Sequence, residues 1–220
     1  METRLHNLLS KLNVDTAKWQ PVLDYIYATD GGIAINEQPL FTRDLRYSTN
    51  KELNKALKPC EHVKAGALEA FHICVLGLTL SMRKQNPFVF EGVSIEELAT
   101  VCLLCDSGKT GAYYPASDYG KERGIFWEYD CNIPSPQPEL QIALAARYGI
   151  SLTDNEYLGL RLAATPMSEE ASKAFARQIK PWLLMVNGIA QVVRHNEFPL
   201  QQYANKVLAA LQVTPEIELS

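Results

Sequence analysis

The run from His62 to Arg83 leaves this chain few structural options. Val63, Ala67, Leu68, Phe71, Val75, Leu78 and Met82 recur at three- and four-residue spacing. That period stacks side chains along one face of an α-helix, whereas a strand would send them to both faces. The surrounding sequence is punctuated for helices too. Ser94-Ile95-Glu96-Glu97 and Thr153-Asp154-Asn155-Glu156 are capping boxes: the hydroxyl accepts from an unpaired N–H of the first turn, and the Glu side chain reaches back. The first box opens a helix through Leu98, Val101, Cys102 and Cys105 that Gly108 is expected to end. The second opens a helix to about Ala164. Pro181 and Pro199 suit a first helical position, where a missing N–H costs nothing. They place helices over Trp182 to Arg194 and over a last segment packing through Tyr203, Val207 and Leu211.

Met1 to Leu12 and Thr16 to Ala28 read as two further helices, the second closed at Asp30-Gly31-Gly32. Others begin near Glu139, ending at Gly149, and at Ser168. Two stretches break the pattern. Ile33 to Pro59 is irregular and polar, with room for a short hairpin or helical turn. Ala112 to Pro138 is the least regular, with Phe126-Trp127-Glu128-Tyr129 as a short strand. The prolines in Ile133-Pro134-Ser135-Pro136-Gln137-Pro138 forbid a regular helix there, because they lack donors and restrict their neighbours. The expected fold is all-α: one helical bundle over residues 1–220 with a small irregular or β-containing arm. Residues 1–59 form N-terminal helices and an irregular segment, 60–195 the core, and 196–220 a C-terminal helix and tail.

The bulk numbers narrow function mainly by exclusion. At 220 residues and 47% hydrophobic, the chain can bury a full-sized core. Its formal net charge of −4 gives no electrostatic footprint for nucleic acid. No apolar run approaches the roughly 20 residues of a membrane span. The N-terminus mixes Glu2, Arg4, His6 and Lys11 with leucines, which suits an amphipathic helix rather than a signal peptide. The cysteines are Cys60, Cys74, Cys102, Cys105 and Cys131. An odd count, largely in apolar helical stretches, reads as reduced buried thiols in a cytoplasmic protein.

Several patterns imitate functional motifs. Asp106-Ser107-Gly108-Lys109-Thr110 ends like a phosphate-binding loop, but the position of the required first glycine is Leu103, and a helix rather than a strand precedes it. Cys102-x-x-Cys105 has no second pair to complete a zinc site and reads as two core cysteines one turn apart. The histidines, His6, His62, His72 and His195, make no catalytic triad by spacing. His72 sits beside the apolar face of its helix, and His195 near a helix C-terminus, where the dipole favours positive charge.

Five segments in order carry a family resemblance. Ala65-Gly66-Ala67-Leu68-Glu69-Ala70 resembles Gly-Gly-Leu-Leu-Glu-His. Leu103-Leu104-Cys105-Asp106-Ser107-Gly108-Lys109 resembles Leu-Leu-His-Asp-Ile-Gly-Lys. Pro134 to Glu139 resembles Pro-Leu-Gly-His-Gly-Glu. Leu152 to Ala163 resembles a Leu-Thr-Asp-Glu-Glu helix ending in Ile-Arg-Trp-His, and Leu183 to Ala190 resembles Leu-Leu-His-Ile-Ala-Asp-Met-Ala. In this order, across residues 20 to 195, they make the chain similar to the HD-domain phosphohydrolases, in the subgroup found in phage and mobile-element proteins.

The resemblance implies a helical bundle around a metal site that acidifies a water and neutralises phosphate oxygens. It also implies that this chain has lost most of that site. The ligand positions read Ala70, Cys105, Asp106, Gln137, Ala163 and Asn187, and only Asp106 keeps the family's residue. Alanine has no lone pair, and a neutral amide oxygen holds a divalent ion far less well than a carboxylate. Lys109 also survives, either as an ion pair with Asp106 closing the helix end or as an anion contact. The expectation is a catalytically inactive HD-fold protein with no cofactor and with Cys105, Asp106, Lys109 and Asn187 as a remnant site. By analogy it would bind a protein partner, or else a nucleotide, as an accessory or inhibitor factor of a mobile element. The alternative is an active phosphohydrolase on nucleotides or phosphodiesters, holding a divalent metal such as Mn or Zn through His72, Cys105 and Asp106.

The irregular arm from Tyr113 to Pro138 concentrates Tyr113, Tyr114, Tyr119, Phe126, Trp127 and Tyr129 together with Arg123. Aromatics and arginine are what binding hot spots are made of. Tyr113, Tyr114, Arg123 and Trp127 are the candidate contact residues, with a covering loop packed on the domain as the other reading.

Overall fold

A computed structural model describes residues 3–27, 34–37, 39–48, 51–107, 110, 112–129, 138–164, 179–195 and 197–211. These are mostly helical. In chain order they form α1 (Arg4–Lys11), α2 (Thr16–Tyr27), α3 (Lys51–Asn54), α4 (Ala67–Gln85) and α5 (Ile95–Leu104). Next come β1 (Tyr113–Pro115), α6 (Asp118–Lys121), β2 (Trp127–Tyr129), α7 (Pro138–Arg147), α8 (Asp154–Ala164), α9 (Pro181–Arg194) and α10 (Leu200–Ala210). Short 3-10 turns precede α4 (Glu61–Val63) and α5 (Pro87–Phe90).

Helix α4 is the axis of the fold. Every residue from Ala67 to Leu76 is buried, so the helix is covered on all sides rather than along one stripe. It packs against α5, α9 and α10. Two glycines permit the close approaches. A Cβ on Gly77 of α4 would lie 2.4 Å from Val207 Cγ2 on α10, and one on Gly159 of α8 would lie 2.7 Å from Leu183 Cδ2 on α9.

The long periodic run is not one helix from His62. It starts as a 3-10 turn, breaks at Gly66 and becomes α-helical at Ala67. Gly66 has φ +77°, and a side chain there would meet Asn36 O at 2.9 Å. Only glycine accepts that backbone cheaply. Both capping boxes form. Glu97 N–H donates to Ser94 Oγ at 3.0 Å and Ser94 N–H to Glu97 Oε2 at 2.9 Å. Glu156 N–H donates to Thr153 Oγ1 at 3.2 Å and Thr153 N–H to Glu156 Oε2 at 2.7 Å. Pro181 takes the first position of α9 as expected, whereas Pro199 is the N-cap of α10, one residue earlier than its fixed φ suggested. The helix expected at Ser168, the Gly31-Gly32 terminator and the proline segment through Gln137 lie outside the described residues.

The arm is a two-stranded antiparallel ribbon with α6 between its strands. Tyr113 pairs with Tyr129, Tyr114 with Glu128 and Pro115 with Trp127. Strand alternation therefore puts Tyr113, Pro115, Trp127 and Tyr129 on one face and Tyr114 and Glu128 on the other. The ribbon is tied to the segment before α3: Phe126 and Trp127 N–H both donate to Thr42 O, and Asp44 N–H donates to Gly124 O at 2.9 Å. Trp127 Nε1 donates to Val63 O at 2.6 Å. A buried amide completes the clasp, since Asn54 Nδ2 donates to Ser48 O and to Glu122 O.

Cys60, Cys74, Cys102 and Cys105 are buried free thiols, and Cys131 lies outside the described residues. Burial pushes the Cys74 and Cys102 thiols up to about 12, which removes their nucleophilicity. No helix among the described residues is long and apolar enough to cross a membrane.

Candidate functional site

Helix α5 ends at Leu104, with Cys105 as its cap and Asp106 next at φ +63°. The left-handed position that closes the helix is thus Asp106, not Gly108, which lies outside the described residues. Glycine usually fills this place, and Asp is among the few other residues that tolerate it. Ser107 Oγ donates to Leu104 O at 2.8 Å and holds the turn. The carboxylate of Asp106 is buried and faces the last turn of α9.

Among the described residues Arg194 meets it. Its Nε and Nη2 donate to Asp106 Oδ2 at 3.0 and 2.7 Å, and Nη2 also donates to Cys105 Sγ at 3.3 Å. The guanidinium carbon lies 5.1 Å from the centre of the Phe71 ring. Burial works against the Arg194 charge, and the Asp106 carboxylate with the Cys105 sulfur outweighs it, so the proton is held more tightly than usual. Lys109, the expected ion-pair partner of Asp106, lies outside the described residues.

The other positions that the resemblance singles out take separate structural places. Ala70 is fully buried in α4. Asn187 stands two turns before Arg194 on α9, its Oδ1 shielded from water and without a donor among the described residues. His72 is buried in α4, and its Nδ1–H donates to Cys102 O at 3.1 Å, which ties α4 to α5. Among the described residues no three His, Cys, Asp or Glu side chains gather as metal ligands, so His72 does not join Cys105 and Asp106 in such a set. Gln137 and the Ala163 side chain lie outside the described residues.

Arg194 was not singled out by sequence reasoning. The signal was present: Arg194 is seven residues after Asn187, so both project from the same side of their helix.

Beside the pair lies a cavity of about 420 Å³. Leu40, Phe41, Leu45 and Tyr113 give it apolar walls, and Arg43, Arg194 and His195 give it cationic and ring-nitrogen groups. No acidic side chain is among its described lining residues. Its outer wall is pinned. Leu40 and Phe41 N–H both donate to His62 O, and buried Asp44 accepts from Cys60 N–H and from the Arg46 guanidinium. Burial, with Asp106 and Tyr129 adding, pushes the Tyr113 phenol up to about 12, so it stays a neutral donor.

Of the candidate contact residues, Tyr113 and Trp127 share one face of the ribbon, Tyr114 is on the other, and Arg123 lies between α6 and β2. Tyr113 is buried at the cavity and packs edge-on against Tyr129. Trp127 is half-buried and tied to Val63. Tyr114 is 46% exposed and Tyr119 65%. Arg123 stacks 3.4 Å above the Tyr119 ring and donates to Tyr119 O. No family model, curated protein or solved structure matches the chain.

Proposed function

We propose that this chain acts by binding a protein partner and is not a catalyst, on a bundle akin to that of the HD-domain phosphohydrolases. The observation that carries this reading is the guanidinium of Arg194 on Asp106 and Cys105. Arg194 sets a fixed positive charge against the one carboxylate that a metal would need. A guanidinium cannot generate a hydroxide from water, as a bound divalent ion does. The remaining positions do not suit such an ion: Ala70 has no donor atom and Asn187 offers a neutral oxygen.

The exposed side chains of the arm support a protein partner. Tyr114 and Tyr119 are large exposed aromatics, and Arg123 is held against Tyr119 in a fixed orientation. Preorganised aromatic and arginine side chains lose little entropy on binding.

Elemental analysis of the purified chain tests the reading, with turnover assays on nucleotides and phosphodiesters in added Mn²⁺. The expected result is sub-stoichiometric metal and no turnover. Stoichiometric metal with turnover abolished in Asp106→Ala overturns it and supports the phosphohydrolase. For the binding half, Tyr119→Ala should abolish cross-linking to the partner in the native cell while the far-UV spectrum is unchanged; undiminished cross-linking in Tyr114→Ala/Tyr119→Ala removes the arm from the interface.

A further inference from the structure

The cavity beside Arg194 has the build of a small-molecule site, and this conclusion does not depend on what the arm binds. Its volume of about 420 Å³ falls in the range of ligand pockets, roughly 300–1,000 Å³. One side is apolar, formed by Leu40, Phe41, Leu45 and Tyr113. The other carries Arg43, Arg194 and His195. An acidic chain with a cavity lined by cations and no described acid has concentrated its positive potential at one place.

The charge count decides which anion fits. Arg194 is already neutralised by Asp106 at 2.7 Å. Arg43 is exposed and forms no ion pair with a described residue. His195 accepts Glu197 N–H at Nδ1, which leaves Nε2 for another partner. Among the described lining residues this leaves one guanidinium, Arg43, without an ion-pair partner, together with further hydrogen-bond donors, whereas a nucleotide phosphate carries close to two negative charges.

We infer that this cavity binds a free organic monoanion, a carboxylate on an aromatic or aliphatic body, with the carboxylate at Arg43 and the body against Phe41, Leu40 and Tyr113. Arg43 offers the forked donor geometry that carboxylates accept, and the apolar walls gain by excluding water. Leu45 lines the cavity and is 75% exposed.

The test uses the full chain and titrates 4-phenylbutyrate, octanoate, 4-phenylbutyramide and AMP by calorimetry, with amide chemical shifts as a second readout. The expected result is saturable binding of a carboxylate, with shifts confined to residues 40–45, 113 and 194–195. The neutral amide should bind about tenfold more weakly or worse, because it forfeits the charge-assisted bonds. AMP should not saturate. Arg43→Gln should weaken the acid by about tenfold and leave the amide unchanged. Leu45→Trp should block both. Arg43 and Leu45 are exposed, so neither variant disturbs the core. Equal affinity for acid and amide, tighter binding of AMP, indifference to both variants, or no saturable binding by either carboxylate overturns the proposal.

Discussion

Arg194 donates Nε and Nη2 to one oxygen of Asp106, joining the last turn of α9 to the left-handed residue that closes α5. Both side chains are nearly buried, at 12% and 9% exposure. Removing one partner of such a pair takes a compensating charge from the other and typically costs about 3–5 kcal/mol. Arg194→Met should therefore destabilise the fold by about that amount. The double variant Asp106→Asn/Arg194→Met should recover much of the loss, since neither charge then remains. Urea unfolding of the wild type, Asp106→Asn, Arg194→Met and the double variant measures the coupling, and a double variant no more stable than Arg194→Met would show that packing, not charge, is what Arg194 provides.

Gly77 reports on the α4–α10 contact. A Cβ there falls 2.4 Å from Val207 Cγ2 and 2.7 Å from Val207 Cγ1, closer than atoms can approach. Gly77→Ala should cost about 1–3 kcal/mol through overpacking, despite alanine's better helix propensity. Val207→Ala removes the colliding methyls, so the double variant should be more stable than Gly77→Ala alone. If Val207→Ala worsens Gly77→Ala, the two helices are not in the described contact.

What the sequence makes legible here is local, and what it hides is long-range. Both capping boxes form as their spacing demands, and so does the start of α9 at Pro181, because each depends on neighbours within one turn. The helix expected from His62 begins at Ala67 because Gly66 is left-handed at φ +77°, and a side chain there would meet Asn36, a residue far away in sequence. Asp106 reads as a ligand position in a motif, yet Arg194, which donates to it, is 88 positions away, and no local pattern announces that contact. The aromatic arm was legible as a cluster. Which of its rings face inward followed only from the pairing of Tyr113 with Tyr129.

Two buried groups lose their contribution to stability on acidification, in different pH windows. His62 donates Nε2–H to Val193 O at 2.7 Å, and its Nδ1 has no donor among the described residues. Burial holds its pKa below the ordinary 6.5. A histidine that resists protonation when folded gives stability that is full above 6.5 and lost as pH falls below it, because the unfolded chain takes the proton first. Asp44 is fully buried; burial alone would raise its pKa, but the Arg46 side chain and the Cys60 N–H hold it down to about 2. Its contribution is full above 3.8 and is lost as pH falls through about 2. Urea midpoints from about pH 8 to about pH 2 should therefore decline in two windows. His62→Gln should flatten the upper and Asp44→Asn the lower. A wild-type midpoint that does not move between about pH 7 and about pH 5 would show that His62 is protonated as readily folded as unfolded.

The arm is held by a side-chain hydrogen bond whose loss should be felt locally. Trp127 Nε1 donates to Val63 O at 2.6 Å, and on the same strand face Tyr113 closes the cavity. Trp127→Phe keeps most of the ring and deletes the donor, leaving Val63 O to find water, at about 1 kcal/mol. Trp127→Ala removes the packing as well and should cost more. In both, amide exchange should quicken over residues 112–116 and 124–129 while α4 and α5 keep their protection, because the ribbon opens as a unit apart from the core. Uniform loss of protection across α4 would mean that the arm belongs to the core's cooperative unit. Unchanged exchange would mean that the ties to Thr42 and Gly124, rather than Trp127, hold it down.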